Sequence, residues 1–138
     1  MTKHPHLDRI IADALILGSV RVAVAYPCSA SSIEATVSAQ HLGLIQPIMV
    51  GPRSRIESIA AANNLDLSGM EFLETGEDPI SAAQASVELC RTARTNVIMK
   101  GSLHTDELLG VVVGKEGGMR TNRRMSHVFV LDIPHNSR

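Results

Sequence analysis

Three observations predict an α/β fold of three layers (αβα) around a mainly parallel sheet. The hydrophobic period switches repeatedly between strand and helix, the strand-like runs are almost continuously apolar, and a helix-start signal follows most of them. At 138 residues the chain suits one domain with a substantial core. Tyr26, Phe72 and Phe129 are its only aromatic residues, so that core is aliphatic. A formal net charge of -1, with so few rings to stack on bases, argues against a nucleic-acid partner.

Leu7, Ile10, Ile11, Ala14 and Leu15 recur at the spacing of one helical face and predict an opening helix. A strand follows over 21–26 and Pro27 stops it. Ser31 and Glu34 have capping-box spacing and predict a helix running to about residue 42. The second strand covers 46–50 and is broken by Gly51 and Pro52; Ser54 and Glu57 repeat the capping-box spacing before a helix carrying Ile56, Ile59 and Ala60. Asn63-Asn64 and Ser68-Gly69 mark a turn before a strand over 70–74. Asp78 then reads as an N-cap with Pro79 at the first helical position, and Ile80, Ala83, Val87 and Cys90 form the face expected to be buried. A fourth strand over 97–99 precedes a helix whose buried side is Leu108, Leu109, Val112 and Val113, and a fifth strand over 126–133 ends at Pro134. Segments 22–26, 97–99 and 128–131 are expected in the sheet interior.

The fourth strand leads straight into the most informative segment. Lys100 offers positive charge, Gly101 lets backbone come close to a ligand, and Ser102 and Thr105 offer hydroxyls or caps for the following helix. Parallel sheets bind ligands beyond the carboxyl ends of their strands, so 100–105 reads as a small-anion site; a plain strand-to-helix turn with a solvated lysine is the competing reading. Ser29, Ser31 and Ser32 follow the first strand and lie on the same sheet edge as a possible second loop, with Cys28 read as a structural thiol. Beyond Gly117-Gly118, Arg120, Arg123 and Arg124 offer bidentate donors for phosphate or carboxylate, or else form a solvated charge run. His127 alternates with Phe129 and Leu131 and reads as an interior histidine.

The two cysteines lack metal-ligand spacing, no signal-peptide pattern opens the chain, and no apolar run approaches the ~20 residues of a membrane span. These readings favour a cytoplasmic protein without metal or membrane partner.

Lys100-Gly101-Ser102-Leu103-His104-Thr105-Asp106-Glu107-Leu108-Leu109 and Met119-Arg120-Thr121-Asn122-Arg123-Arg124-Met125-Ser126-His127-Val128-Phe129-Val130 resemble motifs in the first half of the phosphate acetyl/butyryltransferases. The likeness is closest to phosphate butyryltransferases and to the transferase part of bifunctional enoyl-CoA hydratase/phosphate acetyltransferases. It implies a fold like that of isocitrate and isopropylmalate dehydrogenases, of which residues 1–138 would form the first domain only. It also implies acyl transfer between coenzyme A and inorganic phosphate, with the coenzyme A thioester as substrate and neither a tightly bound cofactor nor a metal. The site residues it implies are Lys100, Gly101, Ser102 and Thr105, with Arg123, Arg124 and Ser126; His104 is a catalytic candidate as donor to an acyl-phosphate oxygen. The family's thiol-activating groups have no counterpart in this chain, which is expected to be inactive alone and to self-associate as a homo-oligomer. Two other readings stay open: a non-catalytic anion-binding or regulatory α/β domain, and a truncated fragment.

Overall fold

A computed structural model describes residues 5–114 of the chain. The elements are α1 (Pro5–Leu17), β1 (Val20–Ala25), α2 (Ala30–His41), β2 (Ile45–Gly51), α3 (Arg53–Ala62), β3 (Glu71–Glu74), α4 (Pro79–Arg91), β4 (Val97–Lys100) and α5 (Thr105–Val112). The strands form one four-stranded, all-parallel sheet in the order β3-β2-β1-β4. Ala23 is opposite Ile48 of β2 on one side and Ile98 of β4 on the other, which is why 22–25 are apolar without alternation and fully buried.

The chain steps outward from β1 to β2 to β3, with α2 and α3 packed together over those strands. It then returns across the sheet through α4 to β4, and α4 packs on β1, β2, β4 and α5. Right-handed crossovers running in opposite directions put α2 and α3 on one face and α4 and α5 on the other, so β1 and β4 lie at the point where the winding reverses. Ile33, Met49, Val50, Ile56 and Val87 fill the space between these layers. Cutting Ile33 to alanine would cost about 2–5 kcal/mol.

Several expectations need correcting. The cap of α2 is Ser29, whose Oγ accepts the Ser32 N–H at 3.3 Å; Ser31 lies one residue inside the helix. At α3 the N-cap position is Pro52 and Ser54 is internal, because the Glu74 carboxylate at the end of β3 accepts the Arg53 N–H at 2.9 Å and replaces a local cap. Asp78 does cap α4, accepting the Ile80 N–H at 3.1 Å, and Pro79 opens the helix. The buried face of α4 is turned in part from the expected one: Ala83 and Val87 are buried as expected, together with Ala82, Ser86 and Leu89, whereas Ile80 is 41% exposed and Cys90 only half-buried. Three small residues let this helix approach the sheet closely, and the Ser86 hydroxyl is satisfied by the Ala82 carbonyl at 2.8 Å.

In α5, Leu108 is buried but Leu109 and Val113 are largely exposed and Val112 intermediate. Among the described residues β4 is an edge strand, with Val97 47% exposed, so 97–99 is not interior there. No residue of α1 is buried, and Ile16 and Leu17 are 83% and 88% exposed. Helical spacing made α1 amphipathic; it carries no information on what covers the apolar side. The expected fifth strand over 126–133 lies outside the described residues.

Candidate functional site

The loops after β1 and β4 leave adjacent strands at the reversal point, beyond the carboxyl ends of the strands, the position at which an open α/β sheet has its ligand crevice. The structure brings the two predicted loops together there. The Gly101 N–H donates to the Ala25 carbonyl at 2.8 Å and the Ser102 N–H to the Tyr26 carbonyl at 2.8 Å. Ser102 Oγ donates to that same Tyr26 carbonyl at 3.0 Å and accepts the Cys28 N–H at 3.3 Å. The Gly101 and Ser102 donors expected for an anion are therefore used to lock one loop to the other.

Gly101 has a different reason to be glycine from the one expected. A Cβ there would lie 2.5 Å from the Ala25 carbonyl oxygen and closer still to that of Tyr26. The close backbone approach is to β1 itself. Lys100 donates through Nζ to the Leu103 carbonyl at 2.7 Å and stays exposed, so its charge sits over its own loop at the mouth of the crevice. His104 occupies the N-cap position of α5 and its N–H donates to Glu107 Oε1 at 2.8 Å; Thr105 is the first helical residue, so neither it nor Ser102 is the cap.

Across the crevice, Ser29 Oγ lies 2.8 Å from Ser32 Oγ and 3.4 Å from Ser31 Oγ, a group of three hydroxyls at the start of α2. With the Gly101 and Ser102 amides engaged and Ser32 Oγ donating to the Ser29 carbonyl at 3.0 Å, the groups that remain for an anion are the Lys100 ammonium and the Ser29 and Ser31 hydroxyls, beside the positive end of the α2 dipole. Cys28 is buried, and burial pushes its thiol above the ordinary cysteine value, with the Arg55 guanidinium pulling the other way. It is therefore protonated at neutral pH and unsuited to be a nucleophile.

Tyr26, Arg55 and Glu77 also belong to this edge, and sequence reasoning missed them. Arg55 Nη1 donates to the Tyr26 hydroxyl at 2.8 Å and lies 3.5 Å from Glu77 Oε2, while the Tyr26 hydroxyl donates to the Glu77 carbonyl at 3.0 Å. These residues come from three separate loops or helix starts, and no spacing in the sequence joins them. The one available hint was a tyrosine directly before Pro27 in a chain with only three aromatic residues.

Arg123, Arg124, Ser126 and His127 lie outside the described residues. Among the described residues no group of three or more His, Cys, Asp or Glu could hold a metal ion, and no helix is long and apolar enough to cross a membrane. A groove of about 370 Å³ opens at the opposite, amino edge of the sheet, lined by Arg21, Gln46, Glu71 and Arg94 among others. In a parallel α/β sheet the chemistry belongs at the carboxyl edge, and the hydroxyls and lysine gather there instead.

No family model matches the chain. It is 43% identical over 127 residues to the phosphate acetyltransferase of Rhizobium meliloti, a match covering 92% of this chain and 40% of that protein. It is 34% identical over 128 residues to the phosphate butyryltransferase of Clostridium beijerinckii, covering 93% of this chain and 42% of that one. The chain thus spans about two fifths of the length of these relatives. Among solved structures, the EutD phosphotransacetylase from Staphylococcus aureus superposes with a TM-score of 0.57 at 18% identity, over 78% of this chain and 44% of that one, a likeness of fold.

Proposed function

We propose that this chain, similar over nearly its whole length to a phosphate acetyltransferase and a phosphate butyryltransferase, carries part of the substrate site of a phosphate acyltransferase. The observation that carries the reading is the 43% identity to a phosphate acetyltransferase over nearly the whole chain. In the proposed reaction a phosphate oxygen attacks the thioester carbonyl of an acyl-CoA, the C–S bond breaks, and the coenzyme A sulfur leaves as a thiolate that takes up a proton. Acyl phosphate and free thiol are the products.

What such a reaction asks of a protein is fixed positive charge and donors that hold phosphate against the carbonyl, more than a strong base. Lys100 and the hydroxyls of Ser29 and Ser31 supply that at the crevice, and Gly101 and Ser102 join the two loops. Thr105, Arg123, Arg124 and Ser126 complete the proposed substrate-binding set, with His104 the candidate donor to an acyl-phosphate oxygen. No metal or tightly bound cofactor takes part in this reading, and we place the protein in the cytoplasm as a homo-oligomer. A two-domain architecture like that of isocitrate and isopropylmalate dehydrogenases, with this chain as its first domain, belongs to the same proposal.

Titration with phosphate while following thermal unfolding tests the site. Protection should grow with RT ln(1 + [L]/Kd), and Lys100→Ala should weaken it. Unchanged melting of the native chain far above millimolar phosphate would overturn the reading. Free-thiol release from acetyl-CoA and butyryl-CoA in parallel reads turnover and acyl preference, and light scattering reads the oligomer. The expected result for this chain alone is no turnover. A non-catalytic anion-binding domain is the second reading, favoured by the engagement of the Gly101 and Ser102 amides within the protein, and it predicts phosphate protection with no acyl transfer even beside the remainder of a relative.

A further inference from the structure

Resting on that reading of the crevice, we propose that Tyr26 is a positioning residue for the substrate loop, clamped through its hydroxyl by Arg55 and Glu77 so that its backbone carbonyl holds Ser102, and with it the start of that loop, in place. Tyr26 has φ of 53°, in the left-handed region that a bulky aromatic residue adopts only where its surroundings compel it. Its N–H still makes the last bond to β2, donating to the Val50 carbonyl at 2.8 Å. Directly after that bond the backbone turns and delivers its carbonyl to three donors: the Cys28 N–H at 2.9 Å, the Ser102 N–H at 2.8 Å and the Ser102 hydroxyl at 3.0 Å. One oxygen thus ties the serine loop to the lysine loop.

The other end of the residue is tied as firmly. The Tyr26 hydroxyl accepts from Arg55 at 2.8 Å and donates to the Glu77 carbonyl at 3.0 Å, and the guanidinium carbon of Arg55 lies 5.8 Å from the ring centroid. Arg55 is on α3 and Glu77 precedes α4, so the clamp draws on the carboxyl ends of β2 and β3 to fix a backbone geometry used between β1 and β4. A half-exposed ion pair such as Arg55–Glu77 adds little stability by itself. Its consequence is orientation of the phenol.

Amide hydrogen exchange followed by NMR in the native chain, Tyr26→Phe, Arg55→Gln and Arg55→Lys tests this. The phenylalanine variant keeps the ring in the core, and Arg55 is exposed, so all three variants should fold. Exchange at Gly101, Ser102 and Cys28 should quicken about three- to tenfold in Tyr26→Phe and Arg55→Gln while Ala23 and Met49 in the central strands keep their protection, and Arg55→Lys should return most of the loss. The phosphate concentration needed for a given rise in melting temperature should increase by a similar factor. Unchanged exchange at Gly101 and Ser102, or equal loss across β1 and β2, would overturn the positioning role, the second outcome marking a general structural contribution. Absence of phosphate protection in the native chain would instead overturn the anion site, while the exchange pattern still decides whether Tyr26 holds the loop.

Discussion

Gly101 is the most constrained position in the crevice, because any Cβ would be driven into the carbonyl oxygens of Ala25 and Tyr26, and those are backbone atoms of the central strand that cannot swing aside. Gly101→Ala should therefore cost roughly 1–3 kcal/mol, while Gly76→Ala, whose Cβ meets nothing within 4 Å, should stay within about 0.5 kcal/mol; urea denaturation of the two variants checks the contrast. Titration gives a second prediction at this scale. Burial holds the Cys28 thiol above its ordinary 9.0 and the Tyr26 phenol above its ordinary 10.0, with Arg55 offsetting part of each shift. The folded chain binds these protons more tightly than the unfolded chain, so their stabilising contribution is complete below the ordinary values and is lost as pH rises past them. Urea midpoints measured from neutral pH upward should fall in that alkaline range, and Cys28→Ala should flatten the fall.

Helix starts show what local pattern can and cannot say. Asp78→Ala should cost about 0.5–2 kcal/mol because its carboxylate caps α4, and Ser54→Ala almost nothing because α3 takes its capping group from β3; thermal melts would separate them. Asp78-Pro79 was legible in the sequence because both halves of the signal are adjacent residues. The partner of Arg53, Glu74, stands 21 positions away, and no capping pattern reaches that far. The same divide runs through the rest of the fold. Every strand and helix within the described residues is readable from period and punctuation, and so is the sheet edge on which Lys100 and Ser29 gather. The buried face of α4 is readable only in part: Ala83 and Val87 are buried as expected, but Ala82 and Ser86, small enough to approach the sheet, replace the larger Ile80 and Cys90. The engagement of the Gly101 and Ser102 amides, which arises from strands 75 or so residues apart becoming neighbours, is not readable, nor is the clamp on Tyr26, whose partners stand 29 and 51 positions away.

At the scale of the molecule, the winding order β3-β2-β1-β4 places one wall of the crevice early in the chain and the other late, with α3 and the turn after it between them. The walls are joined across strands by hydrogen bonds: β1 to β4 along Val22 to Ala25, β2 to β3 along Ile48 to Gly51, and the Ala25 and Tyr26 carbonyls to Gly101 and Ser102. Covalent continuity through Asn63-Asn64, both exposed, contributes to none of these bonds. A single protease cut there should leave two pieces that stay associated, because each presents an unsatisfied strand edge that only the other completes. Native mass spectrometry of the nicked protein should record one particle of intact mass and denaturing conditions two, and spontaneous separation would show that the strand edges alone do not hold the halves. Seen in this way, the reversal of the winding makes the crevice a seam between two complementary pieces of one chain, open in principle to being divided and rejoined.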